Sequence, residues 1–146
     1  MGRIKSSITM AEKSTIAKMY DDLINAFDGI VERKLIFPGG RPDIKEPDLE
    51  KMPKYIVVEL PINIEDYAAG NHKFHLTTTG VLYLISKAKK NRTLNVNSLS
   101  DFTEAVTDRF PIRGEYIVAS NPSPLIRGTD EFGYQIVTVT FEIHNK

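Results

Sequence analysis

The chain contains no cysteine. Disulfides, thiolate nucleophiles and cysteine-type zinc sites are therefore excluded, and the absence suits a reducing compartment. Charge of either sign is not in excess either, because 19 Lys+Arg face 19 Asp+Glu. Domains that hold nucleic acid by their overall charge carry a basic surplus, so this balance leaves room only for a local basic patch. Apolar runs are short. None approaches the ~18 residues that a membrane span requires. The basic start Met1-Gly2-Arg3-Ile4-Lys5 is not followed by the apolar stretch of a secretory signal. Synthesis in the cytoplasm, with no membrane partner, is the expectation.

What is present suits one folded domain. The 146 residues are 41% hydrophobic and 26% charged, close to soluble globular averages. A single α+β domain over residues 1–146 is expected, with 1–8 as a flexible N-terminus. A chain of this length buries roughly 70% of its unfolded surface, so it needs no staple.

Helical periodicity comes first. Thr9 and Glu12 have the spacing of a capping box. Ile16, Met19, Tyr20, Leu23, Ile24 and Phe27 recur at helical steps and define a buried stripe. Lys13, Lys18, Asp21, Asp22 and Asn25 are assigned to the opposite, wet face, and Gly29 to the stop. A second helix is predicted over Leu99–Phe110. Ser98 is its expected N-cap, Asp101 lies in its first turn, Leu99, Phe102, Val106 and Phe110 form its stripe, and Pro111 ends it.

Strand signals fill most of the rest. Ile30, Val31, Leu35, Ile36 and Phe37 suit a short strand. Tyr55-Ile56-Val57-Val58-Glu59-Leu60 is apolar on both faces and suits a central one. Phe74–Ile85 is a long strand pattern in which Gly80 suggests a bulge. Tyr116–Ala119 and Tyr134–His144 close the chain. In the latter Val137, Val139, Phe141 and Ile143 alternate with polar residues. The expected architecture is α+β: a mostly antiparallel four- to five-stranded sheet with two helices packed on one face.

Two stretches read as long loops. Residues 38–53 carry Pro38, Gly39, Gly40, Pro42, Pro47 and Pro53. Residues 120–133 carry Pro122, Pro124, Gly128 and Gly133. Each also carries groups that make poor solvent-facing decoration but good interface anchors: Ile44, Leu49 and Met52 in the first, and Leu125, Ile126, Arg127 and Phe132 in the second.

Catalytic patterns are scarce. His72 and His75 would point to opposite faces of a strand, which is wrong for sharing a metal. No Gly-x-Ser-x-Gly elbow occurs. The pairs Glu65-Asp66 and Asp130-Glu131 sit in turn-like segments rather than in a predicted cleft. No catalytic residue, metal or cofactor is assigned. The basic run Lys87, Lys89, Lys90 and Arg92 either ends a strand in solvent or faces DNA phosphates without reading sequence.

The order of these elements resembles the tail-terminator, or tail-completion, proteins at the neck of tailed bacteriophages. The likeness covers nearly the full chain. An amphipathic helix Ile16–Phe27 opens it, and a Pro-rich approach leads to Tyr55-Ile56-Val57-Val58-Glu59-Leu60-Pro61. A helix Leu99–Phe110 then precedes a final strand pair ending Thr138-Val139-Thr140-Phe141-Glu142-Ile143. That resemblance implies a structural, non-enzymatic virion subunit, assembled in the bacterial host cytoplasm. It implies a homo-oligomeric ring, hexamer or dodecamer, that contacts head–tail connector and tail tube proteins and stands near passing DNA. The alternative is a small α+β accessory module that binds nucleic acid or protein through Lys87–Arg92.

Overall fold

The computed structural model describes residues 15–40, 52–60 and 77–145. Their order is α1 (Thr15–Phe27), a 3-10 turn (Arg33–Leu35), β1 (Ile36–Pro38), β2 (Lys54–Glu59), β3 (Thr77–Lys87), α2 (Val96–Thr107), β4 (Ile112–Arg113), β5 (Ile117–Thr129) and β6 (Tyr134–Asn145). The expected α+β class holds. The sheet has six strands rather than four or five, in the order β1-β2-β3-β6-β5-β4. It is mixed, because β1 runs parallel to β2 while the other four pairings are antiparallel. The short strand expected among Ile30–Phe37 is β1, Ile36–Pro38, while the unexpected strand is β4, whose two residues are too few for alternation to declare.

Both helices lie on one face. Met19, Leu23 and Phe27 of α1 and Leu99, Phe102 and Val106 of α2 share one core with Ile56, Val58, Leu82, Leu84, Val137, Val139, Phe141 and Ile143. Burying each such side chain contributes about 1.5–3 kcal/mol, and this cluster is the main source of stability. Alternate residues point to the other face, where Tyr55, Val57, Ile85 and Tyr134 form a second buried cluster. Tyr55 packs edge-on against both Tyr134 and Phe37. The four consecutive apolar residues 55–58 thus serve two cores, as a doubly covered strand should.

α1 ends as its sequence dictates. The Asp28 amide closes the last turn on the Ile24 carbonyl at 3.0 Å, and Gly29 takes φ +102°, open to glycine and costly for other residues. The capping pair Thr9 and Glu12 lies outside the described residues. α2 begins earlier than expected. Its N-cap is Asn95, whose side chain accepts from the Ser98 amide, so Ser98 is inside the helix and Asp101 is past its first turn. Leu99, Phe102 and Val106 are buried as expected, while Phe110 is half-buried beyond the helix end.

Three further expectations are corrected. Asp22 is not on a wet face: it is 7% exposed. Its carboxylate accepts from the amides of Glu115, Tyr116 and Ile117 at 3.1, 2.8 and 3.1 Å. Burial is tolerated because those three donors replace water. Gly80 makes no bulge. It pairs in register with Phe141, and a Cβ there would lie 2.5 Å from the Phe141 Cζ, so glycine makes room for the ring.

The third correction concerns residues 120–133, which are not a long loop. β5 runs through them to Thr129, paired with β6. Register shifts at Ser120/Ser123 and Ile126/Gly128 absorb the irregular residues, with Asn121 and Gly128 at positive φ. Prolines are admissible because β4 pairs with β5 only at Val118 and Ala119, and a strand open on one side tolerates missing N–H groups. The true turn is residues 130–133. There Asp130 Oδ1 accepts from the amides of Phe132 and Tyr134, each at 2.9 Å.

Candidate functional site

The structure divides the sequence-predicted interface residues into three groups. Ile44 and Leu49 lie outside the described residues. Met52 is half-buried and packs on its own chain's second cluster, and its carbonyl accepts from the Tyr134 hydroxyl at 3.0 Å. Leu125, Ile126 and Arg127 lie along the distal half of β5, and Phe132 lies in the turn that follows it.

That hairpin half has the largest exposed apolar groups near one another. Leu125 and Ile126 are each 54% exposed and Phe132 is 57% exposed. Leu125 pairs with Thr138 and Ile126 with Val137, so the two side chains leave opposite faces of the ribbon. Leu125 extends the row Phe37–Val57–Tyr83–Thr138 on the face away from the helices. Ile126 extends the row Ile36–Ile56–Leu84–Val137 on the helix face. Both rows are covered toward β1 and become exposed at β5. Phe132 stands in the turn. The backbone is held by its pairing with β6 from Ser123 to Ile126, with longer contacts from the Thr138 and Thr140 hydroxyls to the carbonyls of Leu125 and Ser123, each at 3.5 Å.

Polar groups border the outer row. The Tyr83 hydroxyl donates to Glu59 Oε2 at 3.2 Å. Partial burial, foremost, and then the Glu59 carboxylate push the Tyr83 phenol above its ordinary value, while the Arg127 guanidinium pulls it down. Arg127 therefore stands within electrostatic reach of Tyr83 and Glu59. An open cleft of about 290 Å³ lies beside them, lined by Tyr20, Gly39, Glu59, Leu60 and Val81. The Leu60 amide donates to the Tyr20 hydroxyl at 3.3 Å. This set can accept and donate hydrogen bonds, but its lining brings no nucleophile beside a base.

The basic run forms a defined turn. Lys87 ends β3 opposite Tyr134. Arg92 donates from its amide to the Lys89 carbonyl at 2.8 Å, and the Lys89 amide donates to the Thr93 carbonyl at 3.0 Å. Asn91 Oδ1 accepts from the Thr93 amide and hydroxyl at 3.2 and 2.6 Å. The Ala88 amide donates to the Gly133 carbonyl at 2.9 Å, tying this turn to the one that carries Phe132. Lys87, Lys89, Lys90 and Arg92 are all exposed.

His144 is exposed on β6, His72, His75, Glu65 and Asp66 lie outside the described residues, and Asp130 serves its own turn. Among the described residues, no three His, Asp or Glu converge on a common metal position, and no helix is long and apolar enough to cross a membrane. Reading by residue type missed the Glu59–Tyr83 pair and the buried Asp22. Pairing register, which brings Glu59 beside β3, has no local signature. Asp22 did leave a signal, since it follows Met19 by three and precedes Ala26 by four, on the border of the buried stripe. No family model and no curated protein matches the chain.

Proposed function

We propose that this protein is a structural assembly subunit: a tail-terminator-like ring protein of a phage neck or tail, joining the tail tube to the head connector. The supporting observation is the exposure of Leu125, Ile126 and Phe132 on a hydrogen-bonded hairpin rather than on a slack loop. A rigid element that presents apolar groups on two faces suits insertion between neighbours, where both faces are covered at once. Arg127 supplies a planar cation of the kind enriched at such contacts. In this reading the partners are further copies of the chain, as a hexamer or dodecamer, with head–tail connector and tail tube proteins above and below. The protein works without turnover or cofactor, in the virion, after assembly in the host cytoplasm.

Native mass measurement tests the proposal. A particle of six or twelve 16.5 kDa chains is expected, either alone or on addition of the neighbouring neck proteins. Ile126→Asp should dissolve it while leaving the monomer folded. A chain that stays monomeric under both conditions overturns the proposal.

A further inference from the structure

We propose that the turn Lys87–Arg92 is a docking surface for the phosphate backbone of a nucleic acid, gripped by charge and without reading base sequence. The inference stands on its own observations and does not need the ring.

From Lys87 to Ser100 the chain carries four cations and no acidic residue. In a molecule whose total charge is zero, this makes a local field rather than a global one. Among the described residues none of the four cations forms an ion pair, the bridges there being Arg33–Asp28 and Lys34–Glu32. Two acids, Asp130 and Glu131, stand in the adjoining turn, which the Ala88–Gly133 bond ties to this one. Asp130 accepts from the amides of Phe132 and Tyr134 through Oδ1 and keeps its charge, and Glu131 is exposed, so the adjoining turn offsets part of the field of the four cations.

The backbone that carries the cations is also held in place. The turn is closed by the Arg92–Lys89 and Lys89–Thr93 backbone bonds, braced by Asn91, and clamped to the next turn through Ala88 and Gly133. Arg92 sits at φ +63°, a conformation that costs a non-glycine residue energy and persists only where its surroundings impose it. A pre-set cluster loses less freedom on binding than four cations on a slack tail.

The chemistry selects among polyanions. Between Lys87 and Thr93 the one apolar residue is Ala88, half-buried. The turn itself therefore offers charge with no apolar anchor, and the exposed ring of Phe132 belongs to the adjoining turn. A bilayer surface is held durably when charge and buried apolar groups act together, whereas a phosphate backbone needs cations alone.

The test is fluorescence anisotropy of a labelled, random-sequence DNA duplex titrated with the full chain at two salt concentrations. If all four cations meet phosphates, the log–log salt slope approaches about −3.6, and affinity falls about a hundredfold between roughly 50 and 200 mM salt. The exposed triple variant Lys87→Gln/Lys89→Gln/Lys90→Gln should lose most of the binding and flatten the slope to about −0.9. Arg92→Asn, which keeps a residue tolerant of positive φ, should flatten it by about one contact's worth. A control that removes cations elsewhere, Lys34→Gln/Arg113→Gln, should leave binding unchanged. The proposal fails if the chain binds no duplex at low salt, if the control weakens binding as much as the triple variant does, or if anionic phospholipid vesicles bind more tightly than DNA. Particle mass is a separate readout, so failure here leaves the assembly reading standing, and the reverse holds too.

Discussion

One sheet contains two contrasting stretches of strand. In β2, residues 55–58 are all buried, with side chains divided between the helix-side core and the Tyr55–Tyr134 cluster. In β5, residues 123–127 are all exposed, although 123–126 pair with β6 in the same sheet. Cross-strand rows link the two: Ile56 and Ile126 share one row, and Val57 and Leu125 another. Being a strand and being core are therefore separate properties. Pairing satisfies backbone groups and makes the strand, whereas burial requires a second layer above it. The helices supply that layer over β2, β3 and β6 and stop short of distal β5. The leftover apolar surface is what the assembly proposal uses.

The sharpest way to break this contrast is to remove a large side chain from the covered half. Phe141→Ala should lower folding stability by about 3–5 kcal/mol in denaturant titration, because the ring is fully buried and Gly80 leaves no side chain to refill the space. A loss under 1 kcal/mol would mean that the covered region is not packed as described.

Asp22→Ala comes next, at about 2 kcal/mol, since it leaves the Ile117 amide buried without its acceptor and loosens residues 115–117. Amide hydrogen exchange at Ile117 should quicken in the variant. Unchanged protection there would refute the carboxylate's anchoring role.

On the exposed half the sign of the comparison should invert. Leu125→Ala and Ile126→Ala are expected to change monomer stability by no more than about 0.5 kcal/mol each. Particle mass should nevertheless fall if these residues meet neighbours. Large destabilisation of an isolated monomer would show that this hairpin half is covered by its own chain.

The smallest effect is an alkaline one at the border between the halves. The folded Tyr83 phenol is raised above its unfolded value, so the unfolded chain loses its proton first as pH rises. The contribution of the neutral Tyr83 phenol, from its partial burial first and then from the Glu59 carboxylate beside it, is full below the ordinary tyrosine value of about 10 and is lost as pH climbs through the folded value. Tyr83→Phe should remove that slope and also delete one late-titrating tyrosinate from the ultraviolet titration. A variant that titrates like the parent would discount the pair.

Much of the fold was legible in residue order. Both helical stripes, the Gly29 stop, the doubly buried β2 and the alternating β6 stand where periodicity put them, except that Thr138 on the polar side of β6 is buried, because each is a local pattern imposed by one element's geometry. The failures share a cause. Pro122, Pro124 and Gly128 read as loop because, taken one residue at a time, they disfavour strands. β6 supplied a long paired template, and the open edge of β5 excused the missing amides. Asp22 read as wet because a carboxylate normally is. Its three donors come from a segment more than ninety residues away. Of the candidate site, the sequence marked the apolar and basic residues by type. Only pairing revealed that Leu125 and Ile126 leave opposite faces and that the basic turn abuts the turn at residues 130–133.

The order of apolar and polar residues alone determined that this chain makes an α+β domain with two amphipathic helices and no cysteine chemistry, since periodicity and residue type act over a few neighbours. The tertiary structure decided which apolar residues are covered. Coverage depends on how far a helix layer reaches across a sheet, and that reach is set by contacts between residues distant in the chain.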